Sequence, residues 1–493
     1  MARLSRRDFL KAAGLSAAAI SIPSISGCSY LDFVAPSGKS KQPNILFIVI
    51  DDLNDCVGCL GRKPEAKTPN IDSLAKRGML FTNAHCSASN CQDSRVSVLT
   101  GIQPSYFSIL PDTHWRQSPV LKDAVTIPEH FRTNGYRVLG SGKIFNCLSW
   151  RQVGSDRDQN DFSVWDNYFP SKTKSIPDFP WPSIAKIDED GTVSWQPFAI
   201  GQEGQRPPYH FDWAPMDCPD NKMPDYKVAS WAISELKKNH KKPFFLAAGL
   251  SATHIPLFIP KEYFDMYPLD QIQLPTINEN DFDDCPSYGK SYIGRELHKW
   301  IVENNLWKNA IQAYLAGITF VDAQVGRLID ALDRSRYAEN TIIVLWSDHG
   351  LHLGQKEHWQ GGSVWEESTH IPLIFVAPGV SNPFSRCSRP VSLLDIYPTL
   401  VELCGHTPQA GLDGESLVTL LSNPQADREK PAITTSGTVN SVRTERWRYI
   451  KYPDGSEELY DHQADPNEFT NLADKPEYDQ IKFKLSEWIP KNK

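Results

Sequence analysis

PNILFIVIDD, residues 43–52, is an unbroken apolar run that ends in two carboxylates. A run of this length, rich in β-branched residues, reads as a strand buried on both faces, as in parallel sheets. Its acids then fall at the carboxyl edge. KPFFLAAGLSATHIP (242–256) and TIIVLWSDHG (341–350) repeat the theme, an apolar strand followed by polar residues. Between them, TPNIDSLAKRG (68–78) reads as a helix closed by Gly78, and TIPEHFRTNGYRVLGSGKIF (126–145) as helix, turn and strand. In residues 310–335, Leu315, Ile318, Val321, Val325, Leu328 and Leu332 recur at helical spacing. Strands alternating with helices predict an α/β fold, with one sheet covered on both faces. VRTERWRYIKYPDGSEELYDHQADPNEFTNLA (442–473) reads as short strands around a Pro-Asp-Gly turn, and so as a smaller C-terminal α+β subdomain.

The 493 residues are 40% hydrophobic, which supports a large core, and the formal net charge is -8. That balance excludes the basic surface of a nucleic-acid binder but leaves room for a local basic pocket. The chain opens with Arg6-Arg7, a short apolar stretch and Ile25-Ser26-Gly27-Cys28. This reads as a twin-arginine export signal ending in a lipoprotein cleavage box, with Cys28 as the lipidated first residue. Ordinary cleavage nearby, with Cys28 incidental, is the plainer alternative. The expected division is therefore signal 1–27, tether 28–42, catalytic domain 43–395 and C-terminal subdomain 396–493. The expected location is periplasmic or at the cell surface, with membrane contact only through the lipid. Cys56-x-x-Cys59 has no second such pair after it and reads as a loop rather than a zinc or redox motif.

Ligands of open α/β sheets sit beyond the carboxyl ends of the strands. Asp51, Asp52, His254, Asp348 and His349 all fall there. One acidic pair is an ordinary solvated strand end. Two pairs after two buried strands repel one another unless a cation lies between them, and hard oxygens suit Ca²⁺ or Mg²⁺. Cys91 precedes SRVSVLTG, a helix start whose positive field favours a nucleophile, and Arg95 follows one turn on. Taken alone, Cys91 reads as a structural thiol.

CQDSRVSVLTG (91–101) resembles the sulfatase signature. NILFIVIDDL, TPNIDSLAKRGMLFTNAHC, GSGKIF, ATHIP, SDHG, WEESTHIPLIF and ELYDHQADPNEFTNLA are similar to sulfatase segments, in order, from about residue 43 onward. The Asp-His pair at 348–349 is similar to that of iduronate-2-sulfatase-like members. The resemblance implies the alkaline phosphatase superfamily fold, a large mixed, mostly parallel sheet sandwiched by helices. It also implies sulfate-ester hydrolysis, with Cys91 oxidised to formylglycine by dedicated formylglycine-generating machinery. Asp51, Asp52, Cys91, Asp348 and His349 would hold Ca²⁺ (or Mg²⁺). Arg95 and Lys143 would orient the nucleophile and bind sulfate oxygens, and His254 would contact sulfate or protonate the leaving alcohol.

Three positions depart from the family pattern. Asp93 replaces the signature's proline, Asn146 a histidine and Gly361 a sulfate-binding lysine. Three readings stay open: a sulfatase in which another group, such as His114 or His352, fills the gap; a phosphoester hydrolase of the same superfamily; or a binding protein for sulfated glycans. DTHWRQ (112–117) and HFDWAPMDCPDNKMPDY (210–226) are polar loops rich in aromatics that suit sugar rings or ordinary packing equally. His114, Trp115, Lys356, His358 and His370 are the expected substrate contacts, and a sulfated poly- or oligosaccharide is the expected substrate.

Overall fold

The computed structural model describes residues 42–62, 64–109, 113–146, 159–171, 185–187, 193–195, 211–292 and 294–491. The export signal, Cys28 and most of the tether lie outside the described residues. Eight strands make the main sheet: β1 (Asn44–Ile50), β2 (Met79–Phe81), β3 (Arg137–Gly142), β4 (Asn167–Phe169), β5 (Phe244–Leu250), β6 (Thr341–Ser347), β7 (Leu373–Val376) and β8 (Ser385–Cys387). Their spatial order is β8-β2-β7-β6-β1-β5-β3-β4. All pairs are parallel except β2–β7 and β6–β7. The expected mixed, mostly parallel sheet is therefore observed.

Every residue of β1, β5 and β6 is buried, which explains their unbroken apolar runs. One sheet face packs on helices 69–75, 224–236 and 307–333, through residues such as Leu46, Leu246, Val228 and Val321. The other packs on helices 91–100, 127–133 and 396–403, through Phe47, Val98, Phe131 and Leu400. No helix among the described residues is long and apolar enough to cross a membrane.

The subdomain boundary expected at 395/396 is not where the packing changes. Ile396, Tyr397, Leu400, Leu417 and Leu421 belong to the core beneath the main sheet. The separate four-stranded antiparallel sheet begins only at Ala432. The apolar spacing of helix 396–403 fits a helix of either domain, so its allegiance was invisible in sequence. From Gln42 on, the described residues form one compact unit.

The aromatic stretch 210–226 is also core rather than an open sugar platform, in its described part. Trp213–Met216 pairs in parallel with Leu257–Pro260. Phe211 and Trp213 are buried, and Phe211 meets Trp359 edge-on.

Candidate active site

Register assembles the site. Ile50 lies opposite Ser347 across β1 and β6, so Asp51 and Asp348 leave the sheet side by side. Ile50 also lies opposite Leu250 of β5, and Gly249 opposite Gly142 of β3. Lys143 and the turn carrying His254 therefore emerge on the same edge. Gly142 (φ +79°) makes the crossing possible: a Cβ there would sit 1.9 Å from the Gly249 carbonyl oxygen.

The acids are tied together by their own backbone. Asp348 Oδ1 accepts the amide N–H of Asp52 at 2.9 Å and of His349 at 3.0 Å. Asp52 adopts the left-handed region (φ 51°), with its carbonyl accepting the Tyr314 hydroxyl at 2.7 Å. Such strain persists where surrounding structure over-determines it, often at functional sites. Helix 91–100 then brings up Cys91 at its first position. Asn90 caps it, accepting the Asp93 amide N–H at 2.9 Å, and Ser94 Oγ donates to the Asp348 carbonyl at 2.6 Å.

Cys91 Sγ lies 3.2 Å from His349 Nε2 and 3.6 Å from Asp52 Oδ1, and those two atoms are 3.1 Å apart. His349 Nδ1 is committed to the Gly350 carbonyl at 2.9 Å, which leaves Nε2 to face the cluster. Asp52, Cys91, Asp348 and His349 each bring a ligand atom within 4.8 Å of the others, as do Asp51, Cys91 and His254. Burial opposes a charge on His349, yet Asp348 and Asp52 raise its pKa well above the usual histidine value. The acids demand a positive charge at this point, and a divalent cation fits the donor set.

Arg95 is fully buried behind them. Its Nε donates to Asp348 Oδ2 at 2.7 Å, Nη2 to Asp51 Oδ1 at 2.8 Å and Nη1 to the Lys143 carbonyl. Lys143 Nζ reaches Asp51 Oδ2 at 2.7 Å. Burial alone would raise Asp51, but Lys143 and Arg95 outweigh it and hold its carboxyl well below the carboxylate range. His254 stands at the mouth, its side chain 37% exposed and its Nε2 4.0 Å from Asp52 Oδ2. Burial would lower its pKa, but Asp52 carries it up to about 9.

Three expected substrate contacts are structural instead. Lys356 is buried, with Nζ on Asp281 Oδ1 (2.7 Å) and the Glu468 carbonyl (2.5 Å). Both His370 nitrogens are taken, by Asp55 Oδ2 at 2.8 Å and the Thr82 carbonyl at 3.1 Å. Trp115 is fully buried and stacks on Phe145. Each of the three is held by partners outside the cluster around Cys91. His358 is half-buried, with Nε2 on the Gly361 carbonyl at 3.0 Å. His114 is also half-buried, its ring stacked beside Trp115. His352 cannot fill a catalytic gap: it is wholly buried, bonded to Gln355 O and Ser363 Oγ, and burial holds its pKa well below the usual value. Asn146 is buried three residues past Lys143, its carbonyl accepting the Gln159 amide N–H.

Sequence reasoning missed a second buried charge cluster. Glu366, Arg443, Arg448, His462 and Glu468 join the antiparallel sheet to the segment after Trp365. Only the apolar flanks of these charges in sequence hinted at their burial. The eight described cysteines are all unpaired, and burial raises the Cys59 thiol to about 12, which suits an inert loop.

A mixed sheet that gathers acids, histidines, a helix-borne cysteine and two cations at one carboxyl edge defines an ester hydrolase of the alkaline-phosphatase-like fold. Residues 43–406 match the Sulfatase family and residues 354–493 the "N-sulphoglucosamine sulphohydrolase, C-terminal" family. The chain belongs to the sulfatase family, whose members are sulfuric ester hydrolases and generally use a metal and formylglycine. It is 36% identical to a sulfatase of Formosa agariphila over 91% of this chain and 87% of that one. It is 31% identical to human iduronate 2-sulfatase over 73% and 69% of the two chains. The solved structure of BT4656, in complex with its substrate D-glucosamine-2-N,6-O-disulfate, superposes with a TM-score of 0.67 at 20% identity, covering 91% of this chain and 96% of that one.

Proposed function

We propose that this protein is a metal-dependent sulfatase acting on a sulfated polysaccharide or oligosaccharide through formylglycine at Cys91, with Ca²⁺ as its ion. The observation that carries the reading is the position of Cys91 Sγ, 3.2 Å from His349 Nε2 and 3.6 Å from Asp52 Oδ1, at a helix N-terminus. Asp51, Asp52, Asp348 and His349 would hold the cation with the oxidised residue 91. Bound there, it lowers the cost of ionising a nucleophilic hydroxyl and neutralises sulfate oxygens. Lys143 fixes Asp51 and adds positive charge toward the sulfate. Arg95 locks Asp51 and Asp348 in place from behind. His254, drawn toward its charged form by Asp52 and open to solvent on one side, would hold a proton at Nε2 for the leaving oxygen. The substrate class is supported by relatives named for sulfated sugars. Export and lipidation at Cys28 complete the reading and suit a polymer met outside the cytoplasm.

Gly361 and Asn146 favour a second reading, a sulfated-glycan binder without turnover. Mass spectrometry of the Cys91 peptide from the native host, with aryl sulfate and aryl phosphate assays, separates them. Expected are an aldehyde at residue 91 and sulfate release that exceeds phosphate release. An intact thiol on active protein sinks the formylglycine route, and tight glycan binding without turnover establishes the second reading. A membrane-fraction assay of Cys28→Ala, expected to release the protein, tests the anchor.

A further inference from the structure

We propose that the amino edge of the main sheet, opposite the active site, is a docking surface for anionic phospholipid headgroups, built on Lys237, Lys241, Lys242 and Arg336. The chain as a whole is acidic, with a net charge of -8, yet residues 237–242 read KKNHKK. This run joins helix 224–236 to β5, and residues 334–340 join helix 307–333 to β6. Hydrogen bonds tie the two segments together. The Tyr337 hydroxyl donates to the Lys238 carbonyl at 2.7 Å and accepts the His240 amide N–H at 2.8 Å, and Arg336 Nη1 donates to Asn239 Oδ1 at 2.9 Å. Lys237, Lys241, Lys242 and Arg336 are exposed and make no ion pair among the described residues. Of the acids at 235–242 and 330–340, Glu235, Asp330 and Asp333 are matched by Lys238, Arg334 and Arg77, which leaves Glu339 alone to offset those four cations. Lys237, Arg334 and Arg336 also line a groove of about 560 Å³, together with Ile233, Leu236 and Ala331. Cations beside apolar side chains suit a phosphate and the glycerol it carries.

The point at which the chain enters the fold supplies the occupant. The Phe244 amide N–H donates to Asn44 Oδ1 at 3.2 Å, Asn44 Nδ2 to the Asn340 carbonyl at 3.0 Å and Asn340 Nδ2 to the Gln42 carbonyl at 3.2 Å. Gln42 therefore stands on this same edge, and Lys39 and Lys41 precede it closely in sequence. The lipid anchor proposed for Cys28 would be joined to Gln42 by a stretch that reaches at most about 50 Å. A basic edge held that near a bilayer meets anionic headgroups, where each lysine adds roughly fivefold to binding. The active site lies at the other end of the strands, so docking by the amino edge turns it toward solvent and an incoming polymer. The anchor reading gives the surface its setting, but the surface is testable without the lipid.

The test sediments the full chain carrying Cys28→Ala with lipid vesicles, its lack of an acyl group confirmed by intact mass. Vesicles of phosphatidylcholine alone report any binding through the leader. Adding phosphatidylglycerol is expected to strengthen binding, and rising salt to reverse that gain. Lys237→Glu, Lys241→Glu and Lys242→Glu combined are expected to weaken binding to the anionic vesicles by on the order of 100-fold. Equal binding to both kinds of vesicle, or anionic binding that survives the triple change, overturns the proposal. Capture of heparin that the triple change abolishes, in a chain that ignores the anionic vesicles, assigns the edge to a sulfated glycan and overturns it as well. Acylation of the unsubstituted chain from the native host is read separately by mass. Its absence would overturn the anchor reading and leave the docking surface standing on the vesicle result.

Discussion

Gly361 is a glycine because the His349 ring occupies the space a side chain would need. A Cβ built there would lie 2.7 Å from His349 Nδ1, 2.8 Å from Cε1 and 2.9 Å from the Ser89 carbonyl oxygen. The first two contacts are with a packed ring and the third with backbone, so the ring must turn or the loop must lift. Gly361→Ala is therefore expected to weaken divalent-ion binding by roughly 10- to 100-fold, the usual effect of disturbing a ligand's support. Calorimetric titration checks it. Gly361→Lys, which restores the family's side chain, is expected to be worse than alanine, and ion binding or activity at or above the parent's would refute this account. Arg95 presents the opposite case, a side chain that nothing can replace. It is fully buried between Asp51 and Asp348. Its removal leaves two buried carboxylates short of a partner, at about 3–5 kcal/mol. Urea denaturation of Arg95→Ala is expected to show that loss, and Arg95→Lys most of it, because an ammonium cannot span both acids.

At the scale of elements, helix 91–100 joins maturation to stability. Asn90 and Asp93 bond reciprocally: the Asn90 oxygen accepts the Asp93 amide N–H and its Nδ2 donates to Asp93 Oδ2, each at 2.9 Å. Asp93 thus closes the first turn where the family pattern has proline. Asp93→Pro deletes that amide donor but sits in the first turn, where a missing N–H breaks no intrahelical bond. The expected cost is about 1 kcal/mol, the value of a cap. The expected gain is a higher aldehyde fraction at residue 91. Denaturation and peptide mass spectrometry read the two effects on one preparation, and an unchanged aldehyde fraction would show that Asp93 does not limit oxidation. The strands feeding the site were legible because an apolar run ending in acids carries both its burial and its edge. Asp51, Asp52, His254, Asp348 and His349 could be placed at one edge from sequence for that reason, whereas Cys91 joined them through the resemblance of its segment to the sulfatase signature. Loop residues were not legible. Lys356 resembles a sulfate ligand until Asp281, distant in sequence, is seen to hold it. Trp115 resembles a sugar platform until Phe145 covers it.

For the molecule as a whole, the antiparallel sheet is held to the segment after Trp365 by ions as well as by apolar area. Arg448 lies fully buried against Glu366 and Glu468, and His462 Nε2 meets Glu468 Oε1 at 2.8 Å. A buried, arginine-neutralised group of this kind was not legible in sequence, where Trp447-Arg448-Tyr449 reads only as part of a short strand. Its consequence is a particular acid response. Burial would raise Glu468, but Arg448 and His462 outweigh it and lower its pKa from 4.5 to about 2. A depressed carboxyl contributes stability that is complete above its unfolded value and is lost as pH falls through its folded value. For Glu468 the loss therefore runs from about pH 4.5 down to about 2. Asp225 acts in the reverse sense. Burial raises it to about 7, so its contribution is complete below the ordinary aspartate range and is lost as pH rises through 7. The two together place maximum stability on the acid side of neutral, with a steep fall below pH 4.5. Urea midpoints measured from pH 8 to pH 3 are expected to trace that dome. Glu468→Gln is expected to be less stable at pH 6 by about 3–5 kcal/mol, because Arg448 loses a buried partner. The same variant is expected to lose less than the parent between pH 4.5 and 3, since the group that would take up the proton is gone. Parallel acid limbs in the two proteins would place the acid sensitivity elsewhere and remove this cluster as the clamp on the C-terminal sheet.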